Sequence, residues 1–194
     1  MSAKKRIIVA ITGASGSIYA KNLLDKLVNH SDEVAEIALI VSDTGEQVWQ
    51  YELDSKIPQS GLIKRYDNSS FFAPTASGSA GYNAMIVIPC TAGTLGRIAN
   101  GTSNDLIARS ADVMLKERKP LVLVLRESPY NLIHIENMRK LTLAGGIIFP
   151  ASPSFYSKPS SINALVDTVT DRVLAMVGLN VNGYKWGESN SENP

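Results

Sequence analysis

One cysteine in 194 residues, Cys90, excludes an internal disulfide framework and suits a reducing compartment. Charge of either sign is in short supply as a surplus: 19 Lys and Arg stand against 18 Asp and Glu, a formal net charge of +1. Without basic residues in excess on one face, the chain carries no electrostatic footprint for nucleic acid or for an anionic membrane surface. No apolar run approaches the ~20 residues that span a bilayer. The run that follows the basic start, Ile7 to Ile11, is too short for the apolar region of a signal peptide. The two histidines, His30 and His134, are isolated, and no His, Cys or Asp group has ligand spacing, so no metal is expected. These absences point to a cytoplasmic globular chain. Its length suits a single domain that buries roughly 70% of the surface its unfolded form exposes.

What is present is an alternation of strands and helices. Residues 6–12, 37–41, 84–90, 120–125 and 146–149 are short, β-branched, nearly continuous apolar runs, the pattern of strands covered on both faces. Helical spacing follows them, at Ile18, Leu23, Leu24, Leu27 and Val28 after the first and through Val48, Trp49 and Tyr51 after the second. Residues 104–116, 132–143 and 162–177 are helical too, and a short helix ends near Ala99. The expected fold class is α/β: an open parallel, Rossmann-like sheet with helices on both faces, in one domain over residues 1–187 with a polar tail at 188–194. Residues 53–82, rich in Pro, Gly and Ser, predict a long loop with at most one short element near 62–66, and a connection of that length suggests cover for a site.

Ligands of such sheets bind beyond the carboxyl ends of the strands. There the sequence places Gly13-Ala-Ser-Gly16, Ser42, Cys90-Thr-Ala-Gly-Thr94, Arg126-Glu127 and residues 150–156. Small residues and hydroxyls beside helix N-termini suit a phosphorylated cofactor, because free N–H groups and the positive dipole end face the ligand. NAD is disfavoured: Gly-x-x-Gly lacks the third glycine, and the second strand ends in Ser42 instead of an acid. Arg109 and Lys116 stand seven apart on one helix and individually read as solvated charges, whereas Arg126, ending a buried strand, must find an anion. Together with Arg172 such cations suit a second phosphate. Cys90 reads as a small buried hydrophobe in preference to a thiolate nucleophile. Phe71, Phe72, Tyr156 and Trp186 read as ordinary packing or as walls for an apolar group.

Thr12-Gly-Ala-Ser-Gly16, Ala76-Ser-Gly-Ser79, Ile88-Pro-Cys-Thr91 with Gly93-Thr94-Leu95, Ala111-Asp-Val-Met-Leu-Lys-Glu-Arg118, Pro120-Leu-Val-Leu-Val-Leu-Arg-Glu-Ser-Pro129 and Phe155-Tyr156 occur in order. From about residue 6 to 187 the chain resembles the UbiX-type flavin prenyltransferases, long described as aromatic-acid decarboxylases of the ubiquinone pathway. The resemblance implies transfer of a dimethylallyl group from dimethylallyl monophosphate to N5 and C6 of reduced FMN, giving the prenylated flavin used by a UbiD-type decarboxylase. It places FMN on Gly13, Ala14, Ser15, Ser42, Thr91, Ala92, Gly93, Thr94 and Arg126. It places the prenyl phosphate on Ser77, Lys116, Arg126, Glu127, Tyr156 and Arg172, with Phe71 and Trp186 as aromatic walls. Glu52 matches an acid near the flavin's reactive edge. Catalytic candidates are therefore Ser15, Glu52, Glu127 and Lys116, with cations stabilising the leaving phosphate and carboxylates moving protons. The resemblance also implies a dodecameric homo-oligomer with sites shared between chains. Two alternatives stay open: an FMN-dependent decarboxylase in which Cys90 is functional, and an FMN carrier, which would usually be acidic.

Overall fold

The computed structural model describes residues 3–181 and residue 183. Six parallel strands form one sheet: β1 (Lys5–Ile11), β2 (Val34–Val41), β3 (Ile63–Asp67), β4 (Ala84–Cys90), β5 (Leu121–Leu125) and β6 (Ile147–Pro150), in the order β3-β2-β1-β4-β5-β6. The helices are α1 (Ser17–Asn29), α2 (Asp43–Leu53), α3 (Ala92–Ala99), α4 (Leu106–Lys116), α5 (Leu132–Leu143) and α6 (Ile162–Met176). Successive strand residues point to opposite faces, so β1 feeds two cores. Ile7, Val9 and Ile11 pack with Leu23, Leu24 and Leu27 of α1, Trp49 of α2 and Val173 of α6. Ile8 and Ala10 pack on the other face with Leu95 of α3, Leu106 and Met114 of α4 and Leu141 of α5. Truncating one of these leucines to alanine would cost about 2–5 kcal/mol.

The expected strands and helices are present, and the sheet has one more strand than the apolar runs indicate. The short element near residues 62–66 is β3, an edge strand in parallel register with β2 from Ile37↔Ile63 to Val41↔Asp67. Its pattern is weak because an edge strand buries little: Ile63 and Tyr66 are half-buried, while Lys64, Arg65 and Asp67 are exposed. The rest of the long connection descends beside α4. It leaves the carboxyl end of β3, where the Asn68 carbonyl accepts from Leu106 N at 2.7 Å. It then makes two 3-10 turns, Pro74–Ala76 and Gly78–Ala80, and arrives at the amino end of β4. The proposed boundary at residue 187 and the tail lie outside the described residues.

Candidate active site

The strand order reverses direction between β1 and β4, which are adjacent, and the chain leaves them toward opposite faces. That divergence opens a crevice at the carboxyl end of the sheet. Thr12 joins its two walls: its hydroxyl donates to the Pro89 carbonyl at 2.7 Å and accepts from Thr91 N at 3.0 Å. Gly13 is required by close approach, since a Cβ there would lie 2.6 Å from Thr44 Oγ1. Gly16 caps α1 with φ 110°, a left-handed conformation that suits glycine, and it supplies no capping side chain.

The missing cap comes from α2. Glu52 Oε2 accepts from Gly16 N at 2.9 Å and from Ser17 N at 2.7 Å. Burial pushes the Glu52 carboxyl up, but the Ser15 hydroxyl and the Ser17 and Gly16 N–H groups outweigh it and hold its pKa below the usual carboxylate value. The N-terminus of α1, which the sequence offers as an anion site, thus receives its anion from within the chain. Ser15 is thereby held beside an ionised carboxylate.

The other two helix starts face the crevice differently. Ser42 Oγ accepts from Gly45 N at 3.0 Å, and Thr91 Oγ1 accepts from Thr94 N at 3.0 Å while donating to Thr94 Oγ1 at 2.9 Å. Ahead of the first bond within α3 stand the N–H groups of Ala92 and Gly93, which have no partner inside the helix. A Cβ on Gly93 would meet nothing nearer than 3.9 Å, so the space beside this turn is open. Arg126, exposed at the end of β5, has no hydrogen-bond or ion-pair partner for its side chain among the described residues. Glu127 beside it accepts instead from Ser128 N at 3.1 Å. Hydroxyls at Ser15, Ser42 and Thr91, an open helix start and an unpaired guanidinium fit a phosphorylated flavin such as FMN. Cys90 is buried in the α3–α4 face of the core, where burial pushes its thiol up to about 12; it is neutral and inert at physiological pH.

Not every predicted site residue gathers there. Gly78 packs on Glu117 so closely that a Cβ at Gly78 would collide with the Glu117 carboxylate. That carboxylate accepts from Lys116 Nζ at 2.6 Å, and Ser77 Oγ lies 2.9 Å from Ser79 Oγ. This second group stands at the amino end of the sheet, because the chain leaving Lys116 enters β5 with the Pro120 carbonyl accepting from Met85 N at 2.9 Å. β4 is seven residues long, which puts about 20 Å between the two ends. Tyr156 is exposed in the loop after β6 and Phe71 in the connection before the 3-10 turns. Arg172 is exposed on α6, about 15 Å along the helix from its start. Trp186 lies outside the described residues. Sequence reasoning passed over Thr12 and Glu117 as functional parts; the signal for Thr12 was a lone hydroxyl ending an apolar run.

The family model described as Flavoprotein matches residues 1–174. The chain is 44% identical over 185 residues to a flavin prenyltransferase UbiX of Methanocaldococcus jannaschii, a match that takes in 94% of this chain and 98% of that protein. Among solved structures it resembles a UbiX protein in complex with FMN and dimethylallyl pyrophosphate, with TM-score 0.84 and 39% identity over 94% of this chain and 100% of that one. It also resembles a dodecameric FMN-dependent UbiX-like decarboxylase from Escherichia coli O157:H7, with TM-score 0.85 and 35% identity over 93% and 98% of the two chains.

Proposed function

We propose, from the premise that this chain belongs to the flavoprotein family and within it to the UbiX-type flavin prenyltransferases, that it joins a dimethylallyl group to reduced FMN. The product is a prenylated flavin for a UbiD-type decarboxylase in ubiquinone or aromatic-acid metabolism. The observation that carries this reading is Arg126, a guanidinium with no hydrogen-bond or ion-pair partner among the described residues, at the same end of the sheet as the open start of α3. Gly13, Ala14, Ser15, Ser42, Thr91, Ala92, Gly93, Thr94 and Arg126 would hold FMN, which when reduced supplies the nucleophilic nitrogen and ring carbon. Ser77, Lys116, Arg126, Glu127, Tyr156 and Arg172 would hold dimethylallyl monophosphate, and Phe71 and Trp186 would wall its apolar chain.

The residues divide the work by charge. Lys116, Arg126 and Arg172 stabilise phosphate as it leaves, because fixed cations need no reorganisation as negative charge gathers on the leaving oxygens. Glu52, kept ionised at the start of α1, orients Ser15 and accepts a proton; Glu127 is the second carboxylate for proton transfer. The ~20 Å between the two groups of residues supports a site in which Ser77 and Lys116 come from a neighbouring subunit of a homo-oligomer, as a dodecamer would allow. The neutral, buried thiol of Cys90 speaks against the decarboxylase alternative, and a plain FMN carrier leaves the additional cations without a role. Among the described residues no helix is long and apolar enough to cross a membrane, and the lone cysteine suits the cytoplasm as the place of action.

The test is anaerobic incubation with reduced FMN and either dimethylallyl monophosphate or dimethylallyl pyrophosphate, then mass analysis of the extracted flavin. Gain of one five-carbon unit, faster from the monophosphate and absent without protein, is expected. Unmodified FMN from both donors overturns the proposal.

A further inference from the structure

β2 is apolar along its length except for Glu36 near its start, and Glu36 is buried. A buried glutamate needs partners. It has three, drawn from distant parts of the chain. Tyr82 OH donates to Oε1 at 2.6 Å, Arg6 Nη2 donates to Oε1 at 3.1 Å, and Lys64 Nζ donates to Oε2 at 2.8 Å. Arg6 also lies 4.3 Å from the centre of the Tyr82 ring. Its other terminal nitrogen donates to the Ala80 carbonyl, and its own N–H reaches Asn83 Oδ1 at 2.8 Å.

Ala80 ends the second 3-10 turn, three residues after Ser77. The turn before it is held from α4, where Arg109 Nε donates to the Ala76 carbonyl at 3.3 Å. The segment carrying Ser77 is therefore pinned on both sides by guanidinium groups, one of which Glu36 holds in place. Between the pins, Gly78 packs on Glu117, and Glu117 holds Lys116. A continuous set of contacts runs from Glu36 through Arg6 and Ala80 to Ser77 and Lys116.

We infer that Glu36, acting through Arg6 and Tyr82, is a positioning residue for the Ser77 and Lys116 group and so sets how tightly the prenyl phosphate is bound. This rests on the proposal that Ser77 and Lys116 contact that phosphate. Glu36 touches neither substrate nor flavin; it fixes the backbone that presents them. A displacement of an ångström in such a segment weakens one binding step and leaves a flavin site at the other end of the sheet unaltered.

The experiment compares Glu36→Gln, Tyr82→Phe, Lys116→Ala and the core control Leu23→Ala in the assembled full-length protein. KM for dimethylallyl monophosphate, kcat, Kd for FMN and Tm are measured for each. Glu36→Gln is expected to raise KM for the prenyl donor about tenfold, with kcat and Kd for FMN within about twofold of the parent. Tyr82→Phe, which removes one of three donors and keeps the ring, gives a smaller rise and serves if Glu36→Gln does not assemble. Leu23→Ala lowers Tm without moving KM. Unchanged KM in Glu36→Gln and Tyr82→Phe beside a raised KM in Lys116→Ala overturns this inference alone. Parallel loss of FMN affinity, or the same KM rise in Leu23→Ala, also overturns it, as general loosening. A silent Lys116→Ala overturns both this inference and the phosphate assignment beneath it.

Discussion

At the carboxyl end of the sheet, Arg126 carries a guanidinium with no partner among the described residues, whereas at the amino end Lys116 is held by Glu117, and Arg6 and Lys64 by Glu36. The carboxyl end also places a well-held carboxylate, Glu52, on backbone N–H groups. One end therefore offers a ligand a guanidinium with no partner among the described residues, and the other holds Lys116, Arg6 and Lys64 on carboxylates that brace its backbone. An unpaired cation at a crevice gains most from an external anion, while a cation already paired, such as Lys116, meets a ligand in a geometry its partner has fixed.

The most severe way to break that comparison is to disable each end and combine the products. Arg126→Ala and Lys116→Ala should each lower kcat/KM by about 10²–10³-fold, the scale of losing one preorganised charge. Co-assembled oligomers of the two inactive variants should regain activity, because some sites then draw Arg126 from one subunit and Lys116 from the next. Arg126→Ala co-assembled with Ser15→Ala should regain none, since both residues belong to the same end. Absence of regain in the first mixture would show that the two ends do not meet at one substrate.

An intermediate effect is expected from acid. Burial pushes Glu36 up, yet Lys64, Tyr82 and Arg6 together hold its carboxyl at about 2 against an ordinary 4.5. Its folded-state pKa is depressed, so the stability it contributes is present above pH 4.5 and is lost as pH falls from 4.5 toward 2. Urea midpoints measured across that window should fall less steeply in Glu36→Gln than in the parent. Glu52→Gln should flatten the same window less, its carboxylate being more exposed. Equal flattening would erase the contrast between a braced end and an open one.

The smallest effect belongs to Cys90. Cys90→Ala should leave prenyl transfer within about twofold and cost about 1 kcal/mol of stability, as a modest core truncation does. Loss of activity with the fold intact, checked by Tm and FMN titration, would return a thiol to the chemistry of the carboxyl end.

Much of the architecture is legible in the sequence. Five strands announced themselves because each reads as a nearly uninterrupted apolar run, four of them buried between helices and β6, at the far edge, half-buried. β3 did not, because as an edge strand it buries only Ile63 and Tyr66 in part. Gly13, Ser42, Thr91 and Arg126 were legible as site residues because strand ends in a doubly wound sheet are ligand positions. The service of Glu52 as the cap of α1 was not, since its two backbone donors lie 36 and 35 positions away. Nor was the placing of Lys116 at the opposite end from Arg126, although both fall in stretches that read plainly as helix and strand.

The sequence by itself determined the alternation of strand and helix, the two-sided burial of the sheet and the set of residues at strand ends. Those follow from side-chain periodicity and chain direction, which are local properties. Only the tertiary structure decided which charges are spoken for: Glu36 by Arg6, Lys64 and Tyr82, and Glu52 by the start of α1, with Arg126 left without a partner among the described residues. The physical reason is that hydrogen bonds and ion pairs act over about 3 Å, and packing, not chain order, brings groups that far apart in sequence to that distance.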